Sequence, residues 1–121
     1  MAIKICNIER GWPTVEQAKQ LIDAEIRSAK VNKITCLKLI HGYGSSGKGG
    51  KIKEALPDFL DGKMRVGAIA DYIRGEDFSI FDALTQKALL NYPDLSGDKD
   101  LNQSNRGITL ILMPKSVRLR D

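Results

Sequence analysis

Half of the ten residues 41–50 are glycine: Gly42, Gly44, Gly47, Gly49 and Gly50. No helix or strand tolerates that density, because each glycine raises the entropy cost of ordering the backbone. The segment is a loop. It leaves residues 34–40, Ile-Thr-Cys-Leu-Lys-Leu-Ile, an apolar, branched run too short for a typical helix and expected to be a central strand. It enters a helical face marked by Ile52, Ala55, Leu56, Phe59 and Leu60. Pro57 within that face predicts a kink or two short helices, since an interior proline costs a helix about 3 kcal/mol.

Further elements flank this strand, loop and helix. Residues 2–8 place Ile3, Ile5 and Ile8 among polar neighbours and read as a short strand. Thr14-x-x-Gln17 is a capping-box pattern that starts a helix with Val15, Ala18, Leu21, Ile22, Ile26 and Ala29 on one face. Residues 66–73 alternate as a third strand. Ser79 would cap a helix through Phe81, Leu84, Ala88 and Leu89 that ends before Pro93. Residues 94–106 are polar, without periodicity, and read as a mobile loop, and residues 107–113 form the last strand. This order predicts an α/β two-layer sandwich: a four-stranded mixed sheet, two crossover helices and one extra inserted helix. At 121 residues the chain is a single domain, 1–121.

Charge sharpens the picture. The chain has 19 Lys plus Arg against 15 Asp plus Glu, for +4 overall. Residues 75–105 hold two basic and six acidic groups, leaving 17 basic and nine acidic elsewhere. A strongly basic core carrying an acidic attachment is expected, and such a core attracts polyanions. No apolar run approaches the roughly 20 residues that cross a bilayer. Residues 1–10 lack the pattern of a secretory signal, so a cytoplasmic location is expected. Cys6 and Cys36 show no Cys-x-x-Cys spacing and read as reduced, buried residues.

The chemistry concentrates in the glycine loop. Glycines let successive backbone N–H groups face a ligand, and a helix start favours negative charge. Lys48, Lys51 and Lys53 add cations, with no acid in residues 41–53, so phosphate is the natural partner. Gly42 to Lys48 fits Gly-x-x-x-x-Gly-Lys, but Gly49 stands where a nucleotide phosphate loop needs Ser or Thr for magnesium. Nucleotide binding is the lesser alternative.

Thr14-Val15-Glu16-Gln17-Ala18, His41-Gly42-Tyr43-Gly44 after Leu39-Ile40, and Gly107-Ile108-Thr109-Leu110 together resemble motifs of the Smr (small MutS-related) domain family. Residues 74–106 exceed that family's usual connection, which marks an insertion at about 75–105. The resemblance implies a fold similar to the carboxy-terminal domain of translation initiation factor 3. It also implies binding of DNA or RNA and, in many members, nicking or endonucleolytic cleavage. By position, His41, Gly42 and Gly44 would meet the phosphate backbone. The first motif departs: Asn7-Ile8-Glu9-Arg10-Gly11 stands where many members have Leu-Asp-x-His-Gly, and Trp12-Pro13 is inserted before the helix. A variant ending in Arg-Gly also occurs in the family.

The candidate site is therefore His41, Glu9 and Arg10 as base, acid and charge clamp, if the two loops converge beyond one sheet edge. Gly11, Trp12, Gly42, Tyr43, Gly44, Lys48, Lys51 and Lys53 are the nucleic-acid contacts. A nuclease would call for a divalent metal such as magnesium, yet one histidine makes no metal site unaided and none is assigned. Other roles suit the same residues. His41 can cap a strand, Arg10 can pair with Glu9 or Glu16, and Trp12 can staple the first helix. Tyr43 can stack on a base. Asp94, Asp98 and Asp100 lack the glycine and distal glutamate of a calcium loop and read as a solvated acidic loop. The apolar residues Phe78, Phe81, Leu84, Leu89 and Leu90 offer a protein-interaction alternative through residues 78–90.

Overall fold

The computed structural model describes residues 3–11, 13–43 and 48–115. Strand β1 (Ile3–Asn7) is followed by helix α1 (Val15–Val31), which begins at a complete capping box. The Thr14 hydroxyl accepts from Gln17 N–H at 3.1 Å, and the Gln17 side chain accepts from Thr14 N–H at 2.9 Å. Ala18, Ile22, Ile26 and Ala29 form its buried face, whereas Leu21 lies nearly half exposed at the edge of the stripe. Strand β2 is Cys36–Ile40.

Helix α2 (Lys48–Arg65) runs through Pro57 in one piece, so the expected division into two short helices is not found. Pro57 has no N–H to offer the preceding turn, but Ile52, Leu56 and Leu60 bury on both sides of it and hold the two halves against one sheet face. The helix ends at Gly67, with φ of +76°, whose N–H reaches the Met64 carbonyl while Ala68 N–H reaches that of Lys63. The strand expected over residues 66–73 is therefore shorter. Strand β3 is Asp71–Arg74, because residues 66–68 are spent on ending α2.

Beyond a 3-10 turn at Gly75–Asp77, helix α3 (Ala83–Asn91) is capped by Asp82, which accepts from Thr85 N–H at 2.9 Å. Ser79 instead bonds Phe81 N–H just outside the helix. Phe81 is 87% exposed and so is no part of the packed face expected for it. A second 3-10 turn, Pro93–Gly97, and strand β4 (Ile108–Leu112) follow.

The sheet order is β1-β2-β4-β3, with β1 and β2 parallel and β4 antiparallel to both neighbours. This is the mixed four-stranded sheet expected. Helices α1 and α2 cover one face over Cys6, Leu37, Leu39, Ile69 and Ile111. The acidic segment lies on the reverse face, where Phe78, Ala88, Tyr92 and Leu95 pack on Cys36, Ile73, Leu110 and Leu112. Both cysteines are free and buried. Burial pushes the Cys6 thiol up to about 11 and the Cys36 thiol up to about 12, so neither is a thiolate at neutral pH.

One expectation for the acidic segment is overturned and a second is narrowed. Residues 94–106 are not a fully solvated loop: Leu95 is fully buried, and Asp98 and Asp100 both bind the Lys38 ammonium. Lys38 comes from the middle of β2, is only 3% exposed, and reaches Asp98 Oδ1 at 2.8 Å. Asn105 in turn donates to Asp100 at 3.0 Å, while Glu76 pairs with Lys53 and Asp77 with Arg74. Four of the segment's six carboxylates thus grip basic residues of the strands and α2. The interaction surface imagined for residues 78–90 shrinks as well. Phe78 belongs to the core, leaving Ile80, Phe81 and Leu90 as its large exposed apolar groups.

Candidate nucleic-acid interface

Strands β1 and β2 are parallel, so the chain segments that follow them emerge at the same end of the sheet. After β1, Ile8 N–H continues the ladder to the Ile40 carbonyl. The Asn7 side chain then accepts from the N–H groups of Glu9 and Arg10, at 3.1 and 3.0 Å, and folds the chain into a turn. Gly11 closes that turn with φ of +81°, which a side chain would oppose. Glu9 and Arg10 are both exposed.

The segment after β2 is fastened to the start of β4. The Gly107 carbonyl accepts from both His41 N–H (2.9 Å) and Gly42 N–H (3.1 Å). The His41 ring is fully buried, with Nε2 2.9 Å from Thr109 Oγ1 and Nδ1 against the Gly42 carbonyl. A carbonyl only accepts, so Nδ1 carries the proton and Nε2 receives the threonine hydroxyl's hydrogen. Burial, reinforced by the nearby Lys53 ammonium, holds the imidazole below its ordinary pKa and keeps it neutral. His41, Gly42, Gly107 and Thr109, from two motifs more than 60 residues apart in sequence, are one interlocked unit.

The neutral state has a consequence for stability. Between the ordinary imidazole value of about 6.5 and the lowered folded value, the unfolded chain binds more protons than the folded one. The contribution of a buried neutral His41 is full above about pH 6.5 and is lost as pH falls toward the folded value. Urea midpoints should therefore drop between pH 7.5 and pH 5, and the drop should flatten in His41→Asn. An equally steep drop in that variant would assign the proton uptake elsewhere.

Tyr43 stands above this unit, 54% exposed, with the Arg106 guanidinium 5.1 Å from its ring centre. Lys53 holds Arg106 in place: its ammonium donates to the Arg106 carbonyl at 3.0 Å and to both Glu76 oxygens at 2.8 and 3.0 Å. Lys53 is thus a brace rather than an open phosphate contact. A cleft of about 200 Å³ runs beside the loop and is lined by Glu9, Gly42 and Tyr43 together with Lys99, Asn105 and Gly107. Glu9 and the loop after β2 therefore do share one cleft, as the sequence suggested. Neither Arg10 nor the His41 ring lines it. Lys51 is exposed on the first turns of α2, and no acid lies in that first turn. Trp12, Gly44 and the side chain of Lys48 lie outside the described residues.

Arg106, Asn105 and Lys99 are the neighbours that sequence reasoning missed. Arg106 directly precedes the Gly107-Ile108-Thr109 motif, and that adjacency was the available signal. Among the described residues no three His, Cys, Asp or Glu side chains gather into a group that could hold a metal. Asp100 faces Lys38, which leaves Glu9 as the cleft's one open carboxylate among the described residues. This donor set does not fit magnesium.

The Smr domain family model matches residues 10–77, more than half of the chain, from the Arg10-Gly11 turn to the end of the Gly75–Asp77 turn. The chain belongs to the Smr domain family. Smr domains generally bind nucleic acid. The crystal structure of the Smr domain of Thermus thermophilus MutS2 matches with a TM-score of 0.58 at 15% identity, covering 93% of this chain and 99% of that one. At that identity the likeness speaks for the fold. No curated protein sequence matches the chain. Among the described residues of this Smr domain, no helix is long and apolar enough to cross a membrane.

Proposed function

We propose that this Smr domain binds single-stranded or structured nucleic acid at the sheet end where the Arg10-Gly11 turn, the His41 loop and the start of α2 meet. The observation that carries the reading is the exposed Tyr43 ring, presented by the interlocked His41, Gly107 and Thr109 and backed by Arg106. An exposed ring beside a guanidinium is a stacking platform for a base, worth about 1–3 kcal/mol per base. Arg10 and Lys51 would meet phosphates on either side, and Gly42, Gly44 and Lys48 belong to the same contact. His41 acts as a positioning residue, since both ring nitrogens are occupied within the fold. Glu9 limits how closely a phosphate approaches the cleft. Cleavage is not part of this reading: among the described residues both nitrogens of the His41 ring are taken up within the fold, and no three acidic, His or Cys side chains gather into a metal-holding group.

Fluorescence anisotropy with labelled single-stranded RNA and DNA across a salt series tests it. Binding should weaken steeply with salt, and Lys48→Ala with Lys51→Ala should flatten that slope by about two contacts. Tyr43→Ala should weaken binding roughly tenfold with the slope unchanged. Lys87→Ala, an exposed change on α3 at the reverse face, should do neither. Absence of salt-dependent binding to any nucleic acid would overturn the reading.

A further inference from the structure

The cleft of about 200 Å³ beside Tyr43 lies on the sheet face that carries the acidic segment, since Lys38, which lines it, reaches across to Asp98. Its floor is apolar: Ile5 of β1 is 62% exposed, Ile40 of β2 half-buried and Ile108 of β4 buried. The volume falls below the roughly 300–1,000 Å³ of ordinary small-molecule sites. It suits one flat ring system and not a whole nucleotide.

Most polar groups around that floor are already taken up within the fold. Asn105 donates its amide N–H to Asp100 at 3.0 Å and accepts from Gly107 N–H at 3.0 Å. Asp100 and Lys38 hold each other, and the Gly107 carbonyl accepts from His41 and Gly42. Glu9 and Lys99 are the exceptions. Among the described residues neither side chain makes a hydrogen bond or an ion pair, and the two do not pair with each other although they line one cleft. Lys99 acts on Asp100 through its charge alone. A ligand between them must offer donors to a carboxylate and an acceptor to an ammonium, in the plane of a ring that packs on Tyr43. Of the nucleobases, guanine alone does so: its N1–H and N2–H groups are adjacent donors, and O6 beside them accepts. Adenine and cytosine place a ring acceptor next to the amino group, and uracil has a single N–H. The negative Glu9 also turns phosphate away, so that a base enters and the backbone stays outside.

Resting on the nucleic-acid reading, we propose that this cleft recognises a guanine within a single strand, its ring against Tyr43, the Glu9 carboxylate on N1–H and N2–H, and the Lys99 ammonium on O6. Anisotropy of the full chain with labelled dodecamers tests this: uridine throughout, with guanine, adenine, cytosine or uracil at one central position. The guanine strand should bind about tenfold tighter than the other three, as a good two-bond contact provides. Inosine, which lacks the N2 amino group, should bind about threefold more weakly than guanine. Glu9→Gln, an exposed change whose folding circular dichroism verifies, should level the four strands and leave the salt dependence of the all-uridine strand in place. Lys99→Met should narrow the preference about threefold. Guanosine monophosphate should displace the guanine strand only at far higher concentration, because it brings no neighbouring phosphates. The proposal fails, with the nucleic-acid reading intact, if the four strands bind equally and remain salt-dependent, or if either variant keeps the full guanine preference. It fails too if inosine matches guanine, or if guanosine monophosphate competes as well as the strand, which would assign the cleft to a free nucleotide. If no strand binds at all, both readings fall.

Discussion

Lys38→Ala should lower the unfolding free energy by about 3–5 kcal/mol, because removing one member of a buried ion cluster leaves the opposite charges uncompensated. Two carboxylates, Asp98 and Asp100, face the ammonium, and Asp98 is as enclosed as its partner. Urea denaturation at pH 7 measures the loss. Replacing all three together, Lys38→Met with Asp98→Asn and Asp100→Asn, should recover much of it, since no charge is then stranded. A Lys38→Ala variant within about 1 kcal/mol of the parent would mean that water reaches the cluster. The pH window follows from the shifts. Burial alone would raise the Asp100 carboxyl, but its bonds from Lys38 and Asn105 outweigh that and hold it below the usual range. Its contribution is present above the ordinary value of about 3.9 and is lost as pH falls through the lowered one. Burial likewise opposes charge on Lys38, and the two carboxylates overcome it and raise its pKa. That contribution holds below about pH 10.4 and is lost as pH rises through the folded value.

A second large effect is expected at Gly75. A methyl group there would come within 1.8 Å of the Asn105 carbonyl oxygen, 2.6 Å of Ile108 Cγ1 and 2.9 Å of the Ile108 carbonyl oxygen. Two of these are backbone atoms entering β4 and cannot rotate aside. Gly75→Ala should cost on the order of 3 kcal/mol and lower the thermal midpoint by roughly 10 °C. Gly97→Ala, where an added methyl group meets nothing within 4 Å, should leave the midpoint nearly unchanged. Equal melting of the two variants would show that residues 105–108 yield. The strand beyond that contact carries Thr109, so Gly75→Ala should also disturb the His41 unit and weaken nucleic-acid binding more than its distance from Tyr43 suggests.

The capping box at Thr14 and the run at Cys36–Ile40 were legible in the sequence because each is a local pattern with a local cause. Residues 66–70 misled, since the alternation of Val66, Ala68 and Ala70 is accidental beside the turn that Gly67 imposes. Of the two outcomes expected at Pro57, the division into two short helices does not occur, because packing on both sides of it outweighs a local penalty. The acidic segment was least legible. Asp98 and Asp100 read as solvated because their partner, Lys38, lies 60 residues away and looked like any residue of an apolar strand. In the candidate site, the meeting of Glu9 with the loop after β2 followed from parallel strands ending together. The fate of His41 did not. Whether a lone histidine is a free base or a neutral strut depends on Thr109 and Gly107, which only the folded sheet brings to it.

The strand order also governs how this chain must be assembled. The last of the described strands to be made, β4, sits between β2 and β3 and pairs residue 112 with residue 36. During synthesis, β1 and β2 can join early, but β3 has no neighbour until residues 108–112 exist. Such long-range closure slows folding, and a nascent chain halted before Ile108 would present the bare edges of β2 and β3 side by side. Bare edges template pairing with other chains, so shortened versions of this protein should aggregate rather than persist as stable fragments.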